Sequence, residues 1–173
     1  MIFGLLKENG TETRVALLPE TVKSFTDLKV QVLVEQGAGE KAFASDADYE
    51  AVGAKIVSRA EVFKQGEVLL QIQPPAEGDI QKIKDSQVWI SAFNPLWDTD
   101  LVKTFLKNGV TTFSLDLIPR TSRAQAMDIL SSMATVAGYM AVLEAAATIS
   151  FTHLPAHANV LKLVFPLLLS KNT

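Results

Sequence analysis

Cysteine is absent from the 173-residue chain, which excludes disulfides, thiolate nucleophiles and cysteine-ligated zinc, and leaves no argument for an oxidising compartment. A basic excess is absent too. Sixteen Lys and Arg stand against 19 Asp and Glu, a formal net charge of -3, so nucleic acid is not an expected partner. Histidine occurs only as His153 and His157. Pro155 breaks the helix that would align them and no third donor is in view, so zinc is set aside and both are read as loop residues. The start of the chain lacks a signal peptide's basic lead and long apolar core, because Lys7-Glu8-Asn9-Gly10 comes at once after it. It reads as a first strand in a cytoplasmic setting. No internal repeat or low-complexity tract is found.

What is there is a chain with 48% hydrophobic residues, enough for one good core. Short β-branched or Leu-rich runs at 2–6, 31–35, 55–57, 67–72, 87–91 and 111–115 read as strands, most of them continuously apolar as buried parallel strands are. Segments of helical period lie between them. Pro19 opens one, with Glu20 near its positive end. Residues 98–108 make another, capped by Asp98 or Thr99, with Leu101, Val102, Phe105 and Leu106 as its apolar stripe and Gly109 as its stop. The alternation predicts right-handed crossovers and a doubly wound sheet.

After Pro119 the texture changes: residues 122–148 are helix-forming and rich in small side chains, and they predict one long helix. Its charge-free stretch, 129–143, is shorter than the roughly 20 residues of a bilayer span. Ala134, Gly138, Ala141 and Ala145 point instead to close packing by another helix or domain. The apolar run 160–169 also asks for a partner surface.

Three stretches could carry chemistry. Gly37-Ala38-Gly39 and Ala42 have the spacing of a dinucleotide fingerprint. The next residues, however, look like a loop and the cap of a short helix, and no acidic residue closes the next strand, so this is read as a turn. Arg14, in Glu12-Thr-Arg14-Val-Ala16, lies just after the first strand and could clamp a carboxylate or simply pair with Glu12, Glu20 or a helix terminus. The most informative stretch is 119–132, where Arg120, Arg123, Gln125 and Asp128 gather at the start of the long helix. A site for a polar ligand and a solvated helix start, with Ser122 as N-cap and Asp128 as a first-turn carboxylate, both fit it.

Asp116-Leu-Ile-Pro-Arg120-Thr-Ser-Arg-Ala-Gln125-Ala-Met-Asp128, running on to Gly138 and Tyr139, resembles the signature loop of the NAD(H)-binding component of proton-translocating nicotinamide nucleotide transhydrogenases. Glu12 to Ala16, Gly37-Ala38-Gly39 and Gly53-Ala54 fit the same family, and the resemblance extends to about Ala147. Alanine dehydrogenases share this first domain. The resemblance implies a flavodoxin-like α/β fold with a doubly wound, mostly parallel sheet and a long C-terminal helix. Residues 1–150 would form that domain, and 151–173 a truncated connector toward a Rossmann domain not present in the chain.

In that family the loop crosses to the NADP(H)-binding component and helps to bring two nicotinamides together for direct hydride transfer. By position, Arg120 and Ser131 would touch the NAD(H) nicotinamide region, Gln125 would reach toward the NADP(H) ribose, and Asp128 would orient the loop. The cofactors implied are NAD(H) in the complete protein and NADP(H) on the partner component, with none held tightly by this chain alone. The implied partners are the NADP(H)-binding and membrane components and a second copy of the chain, which would be cytoplasmic and peripheral to the inner membrane. Alanine dehydrogenases carry a lysine where this chain has Gln71, and a histidine in the region of residues 92–97; neither is present, so chemistry on alanine is not expected. Tyr139 is followed by Met140 where the family usually has arginine. A non-catalytic assembly module that keeps the fold is the alternative reading.

Overall fold

A computed structural model describes residues 1–152, with side chains to Thr148. His153, His157, the run 160–169 and all but the first two residues of the expected connector lie outside the described residues. The chain divides into two compact units, Met1–Ile118 and a second from Pro119 onward.

The first unit is one sheet of six strands: β1 (Ile2–Leu5), β2 (Gln31–Glu35), β3 (Lys55–Val57), β4 (Val68–Leu70), β5 (Val88–Ser91) and β6 (Thr111–Ser114). Their order is β3-β2-β1-β4-β5-β6 and every pairing is parallel. This is the expected doubly wound sheet. The order reverses between β1 and β4, so the carboxyl ends of those two strands mark the switch point where such sheets leave a crevice.

Five helices make the crossovers: α1 (Pro19–Asp27), α2 (Asp46–Ala51), α3 (Arg59–Gln65), α4 (Glu77–Ile80) and α5 (Thr99–Lys107). Their starts follow from side-chain chemistry. Pro19 enters the first turn of α1, where its missing N–H costs nothing. Ser45 and Asp48 form a reciprocal capping box on α2, and Ser58 and Asp98 cap α3 and α5, each satisfying an amide the helix leaves free.

Alternate residues along the strands feed two apolar layers. Leu6, Leu69 and Trp89 pack with α3 and α5 through Val62, Phe63, Leu101 and Phe105. Leu5, Val32 and Val34 pack on the other side with Val22 of α1 and Tyr49 of α2. The α5 stripe is narrower than its sequence pattern predicts. Leu101 and Phe105 are buried and Val102 packs against them, but Leu106 is exposed, because the sheet meets only the side of the helix that carries the first three.

The second unit holds a loop, a short 3-10 turn (Gln125–Met127) and the helix α6 (Ile129–Thr152). The long helix expected from 122 therefore starts seven residues later, and Ser122 is not its cap. The amides of Ala124, Met127 and Asp128 are taken by the carbonyls of Thr121, Ala124 and Gln125, turn bonds that compete with α-helix geometry. By length and composition α6 could cross a membrane, with a mean hydropathy of 1.4 over Ile129–Thr148. The charge-free stretch 129–143 therefore understates the helix: one internal charge, Glu144, does not bring it below spanning length.

Candidate functional site

The chain leaves β6 through a short 3-10 turn, Leu115–Leu117, where the Ser114 hydroxyl donates to the Asp116 carboxylate. Beyond Pro119 the loop makes successive turns, the Thr121 amide donating to the Pro119 carbonyl and the Ala124 amide to the Thr121 carbonyl, and Ala124 is buried. Asp128 ends the loop and anchors it. Its carboxylate accepts the backbone N–H of Leu130 at 3.0 Å and the hydroxyl of Ser131 at 2.6 Å, which places it as the cap of α6 rather than as a first-turn residue. The side chain is only 5% exposed. The Ser131 hydroxyl, the Leu130 amide and nearby Arg120 hold its carboxyl below the usual carboxylate range, against the opposing effect of desolvation.

Around this anchor lies a polar concavity of about 270 Å³ lined by Arg120, Thr121, Ser122, Gln125, Asp128 and Ser131. All four residues singled out in the sequence meet there. Arg120 and Gln125 are exposed, Asp128 is buried and Ser131 is half-buried. The wall therefore offers a guanidinium and a side-chain carboxamide to whatever enters, while Asp128 is occupied with the helix start. The donors suit a polar ligand with carboxamide or hydroxyl groups.

The carboxyl edge of the sheet is organised differently. Arg14 grips Glu12 with two bonds, Nε to Oε1 at 2.9 Å and Nη2 to Oε2 at 2.7 Å, and so takes the simpler of its two readings. That clamp pulls the Glu12 carboxyl down to about 2. Next to it is a group that sequence reading passes over: Glu8, buried, accepts the amides of Ile72 at 2.6 Å and Gln73 at 3.0 Å. Burial raises its pKa, and the two amides resist that rise. Gln71 is buried beside it and donates to the Lys7 carbonyl at 3.1 Å, while its Oε1 has no partner among the described residues. Arg59 links Glu35 and Asp79 at 2.7 and 2.6 Å. A charged residue directly after an apolar strand, as at Lys7-Glu8, is the only sequence signal for Glu8, and it does not tell burial from exposure.

The glycine stretch is a turn. Gly37 has φ of 69° and its amide donates to the Asp46 carboxylate at 2.9 Å. A three-residue 3-10 turn, Glu40–Ala42, comes next, and Gly39 lies so close to Ala44 and Tyr49 that an added Cβ would meet them at 2.6 and 2.7 Å. Among the described residues no group of three or more His, Asp or Glu could hold a metal.

A six-stranded parallel sheet with its reversal between β1 and β4, followed by a polar loop beyond its last strand, defines a doubly wound α/β domain. The family model for the alanine dehydrogenase/PNT N-terminal domain matches residues 4–137, and the chain belongs to that family. It is 37% identical over 135 residues to the NAD(P) transhydrogenase subunit alpha of Cereibacter sphaeroides, covering 78% of this chain and 26% of the relative. With the NAD(P) transhydrogenase subunit alpha of Haemophilus influenzae it shares 36% identity over 147 residues, 84% of this chain and 28% of that protein. The crystal structure of transhydrogenase from Sinorhizobium meliloti superposes with a TM-score of 0.80 at 36% identity, over 85% of this chain and 44% of that one. An L-alanine dehydrogenase structure shares the fold, with a TM-score of 0.79 at 22% identity, over 88% of this chain and 42% of that one. The chain thus spans little more than a quarter of the length of these two curated relatives, 26% and 28%.

Proposed function

We propose that this domain serves the NAD(H)-binding component of a proton-translocating NAD(P) transhydrogenase and supplies the loop that aligns two nicotinamides for hydride transfer. One observation carries the reading: Gln125 stands exposed on a loop whose base is pinned by the buried Asp128. A fixed base with a polar tip suits a reaction that needs no protein nucleophile and depends on holding donor and acceptor carbons at near-attack distance. The nicotinamides supply the hydride chemistry when bound. Arg120 and Ser131 would contact the NAD(H) nicotinamide region, the carboxamide of Gln125 would reach the NADP(H) ribose, and Asp128 acts as a positioning residue.

In this reading residues 1–150 form the domain and 151–173 lead toward a Rossmann domain. The partners are the NADP(H)-binding and membrane components and a second copy of the chain, at the cytoplasmic side of the inner membrane. The isolated chain neither holds nucleotide tightly nor turns over. The test is reconstitution with polypeptides carrying the Rossmann portion and the NADP(H) component, following hydride transfer from NADH to an NADP+ analogue. Gln125→Ala should lower the rate by about tenfold or more while the complex still assembles. An unchanged rate, or micromolar NADH affinity of the chain alone, overturns the reading.

The second reading is an assembly module without a catalytic role, and the exposure of apolar side chains along α6 favours it. Assembly with no effect of Gln125→Ala or Arg120→Ala on transfer would select it.

A further inference from the structure

Asparagine followed by glycine occurs twice, at Asn9-Gly10 and Asn108-Gly109, and the fold treats the two pairs differently. This dipeptide is the least hindered setting for one intramolecular reaction. The backbone nitrogen that follows an asparagine can attack the side-chain carboxamide carbon, and a glycine there has no Cβ to obstruct the approach. Asn94, by contrast, precedes Pro95, which has no N–H to give up.

Asn108-Gly109 is held against this reaction. Asn108 closes the end of α5, its amide donating to the Thr104 carbonyl at 3.1 Å. The attacking nitrogen, that of Gly109, is itself bonded to the Leu106 carbonyl at 3.1 Å, and the Asn108 carboxamide reaches the Ile80 carbonyl at a long 3.5 Å. The helix end has to open locally before nitrogen and carboxamide carbon can meet. Asn9-Gly10 needs no such opening. It lies in the loop after β1, with Asn9 half-buried and Gly10 exposed in a turn at φ of 63°. A Cβ built on Gly10 meets nothing within 4 Å, and the Gly10 amide donates to no backbone carbonyl among the described residues. Lys41 meanwhile fixes the Gly10 carbonyl at 2.8 Å, so the turn is held while its nitrogen stays unbonded.

We propose that Asn9 is a site of spontaneous deamidation, selected by the fold over Asn108. The Gly10 nitrogen bonds to Cγ of Asn9 and gives up its proton, and the carboxamide nitrogen leaves as ammonia, closing a succinimide ring. Water then opens the ring. Opening at the side-chain carbonyl leaves aspartate, and opening at the backbone carbonyl leaves an isoaspartyl link with a free α-carboxylate; nothing is oxidised or reduced. Either product puts a new carboxylate between Glu8 and Glu12. The isoaspartyl link also adds a carbon to the main chain next to Glu8, which holds the Ile72 and Gln73 amides at 2.6 and 3.0 Å. A converted copy therefore has a looser joint between the ends of β1 and β4. No residue of the 119–132 stretch takes part, so the site is independent of the nucleotide reading.

Ageing of the full chain in mildly alkaline buffer, followed by peptide mass spectrometry, tests this. In the folded protein, conversion at Asn9, read as the mass gain of an amide turned carboxylate, is expected at least about tenfold faster than at Asn108, the ratio set by the bonds that must open at Gly109. In urea the two sites should convert at similar rates. Asn9→Gln, whose longer side chain cannot close the same ring, removes the first signal and leaves the second unchanged. Hydrogen exchange of the Ile72 and Gln73 amides should quicken in the aged protein and not in aged Asn9→Gln. Equal rates at the two sites in the folded state, faster conversion at Asn108, or an Asn9 that converts only in urea overturns the proposal. Unchanged exchange at Ile72 and Gln73 in the converted protein overturns the loosened joint.

Discussion

The Asp128 carboxylate accepts the hydroxyl of Ser131 at 2.6 Å, so the residue that ends the loop also starts the helix. Its pKa is lowered, with the Ser131 bond as the largest cause. A carboxyl with a depressed folded pKa contributes stability above its unfolded value, and loses it as pH falls through the folded value. Acid below about pH 4 should therefore release the loop before the core unfolds. Hydrogen exchange of the Leu130 amide, followed from pH 5 down to about pH 2, reads this out, and Asp128→Asn should remove most of the pH dependence.

At the sheet edge, Glu12 follows the same linkage. Its carboxyl falls from an ordinary 4.5 to about 2 because Arg14 holds it, so the contribution of the clamp is complete above pH 4.5 and disappears on the way to pH 2. Glu12→Gln should start from a lower plateau and show a flatter acid limb in urea titrations. A limb as steep as that of the unsubstituted protein would mean that the clamp adds nothing to stability.

Glu8 is a structural carboxylate. Glu8→Ala leaves the Ile72 and Gln73 amides without their acceptor, and buried unpaired amides cost about 1–3 kcal/mol each. A loss of about 3 kcal/mol is expected in chemical denaturation, with little change in the far-ultraviolet spectrum. A loss below 1 kcal/mol would mean that water reaches the two amides.

Arg59 bridges two carboxylates, Glu35 and Asp79. Arg59→Leu strands both, and breaking such a partly buried network costs about 3 kcal/mol. Triple replacement with Glu35→Gln and Asp79→Asn should recover part of that loss, because the uncompensated charges disappear with their partner.

Gly39→Ala separates the two readings of the glycine turn. A Cβ at this position meets the Ala44 carbonyl oxygen at 2.6 Å, and backbone cannot yield cheaply, so a destabilisation of about 1–3 kcal/mol is expected. If nucleotide affinity of the reconstituted complex fell while stability held, the glycine would belong to a phosphate cradle after all.

The sequence by itself determined the elements and the family. Apolar runs of strand length alternating with capped helical segments leave few topologies besides a doubly wound parallel sheet, and the 116–139 stretch is long and specific enough to mark the family without coordinates. Local chemistry sufficed there because caps, turns and periodicity act over a few residues. Tertiary structure decided the rest. That Leu106 faces solvent while Phe105 is buried depends on where the sheet ends, and that Asp128 rather than Ser122 starts α6 depends on turn bonds competing with helix bonds over 119–128. Glu8 becomes a buried acceptor only because β4 lies beside β1, some 64 residues away in the chain. Such groups are defined by which backbone amides arrive next to them, and no spacing along a sequence records that.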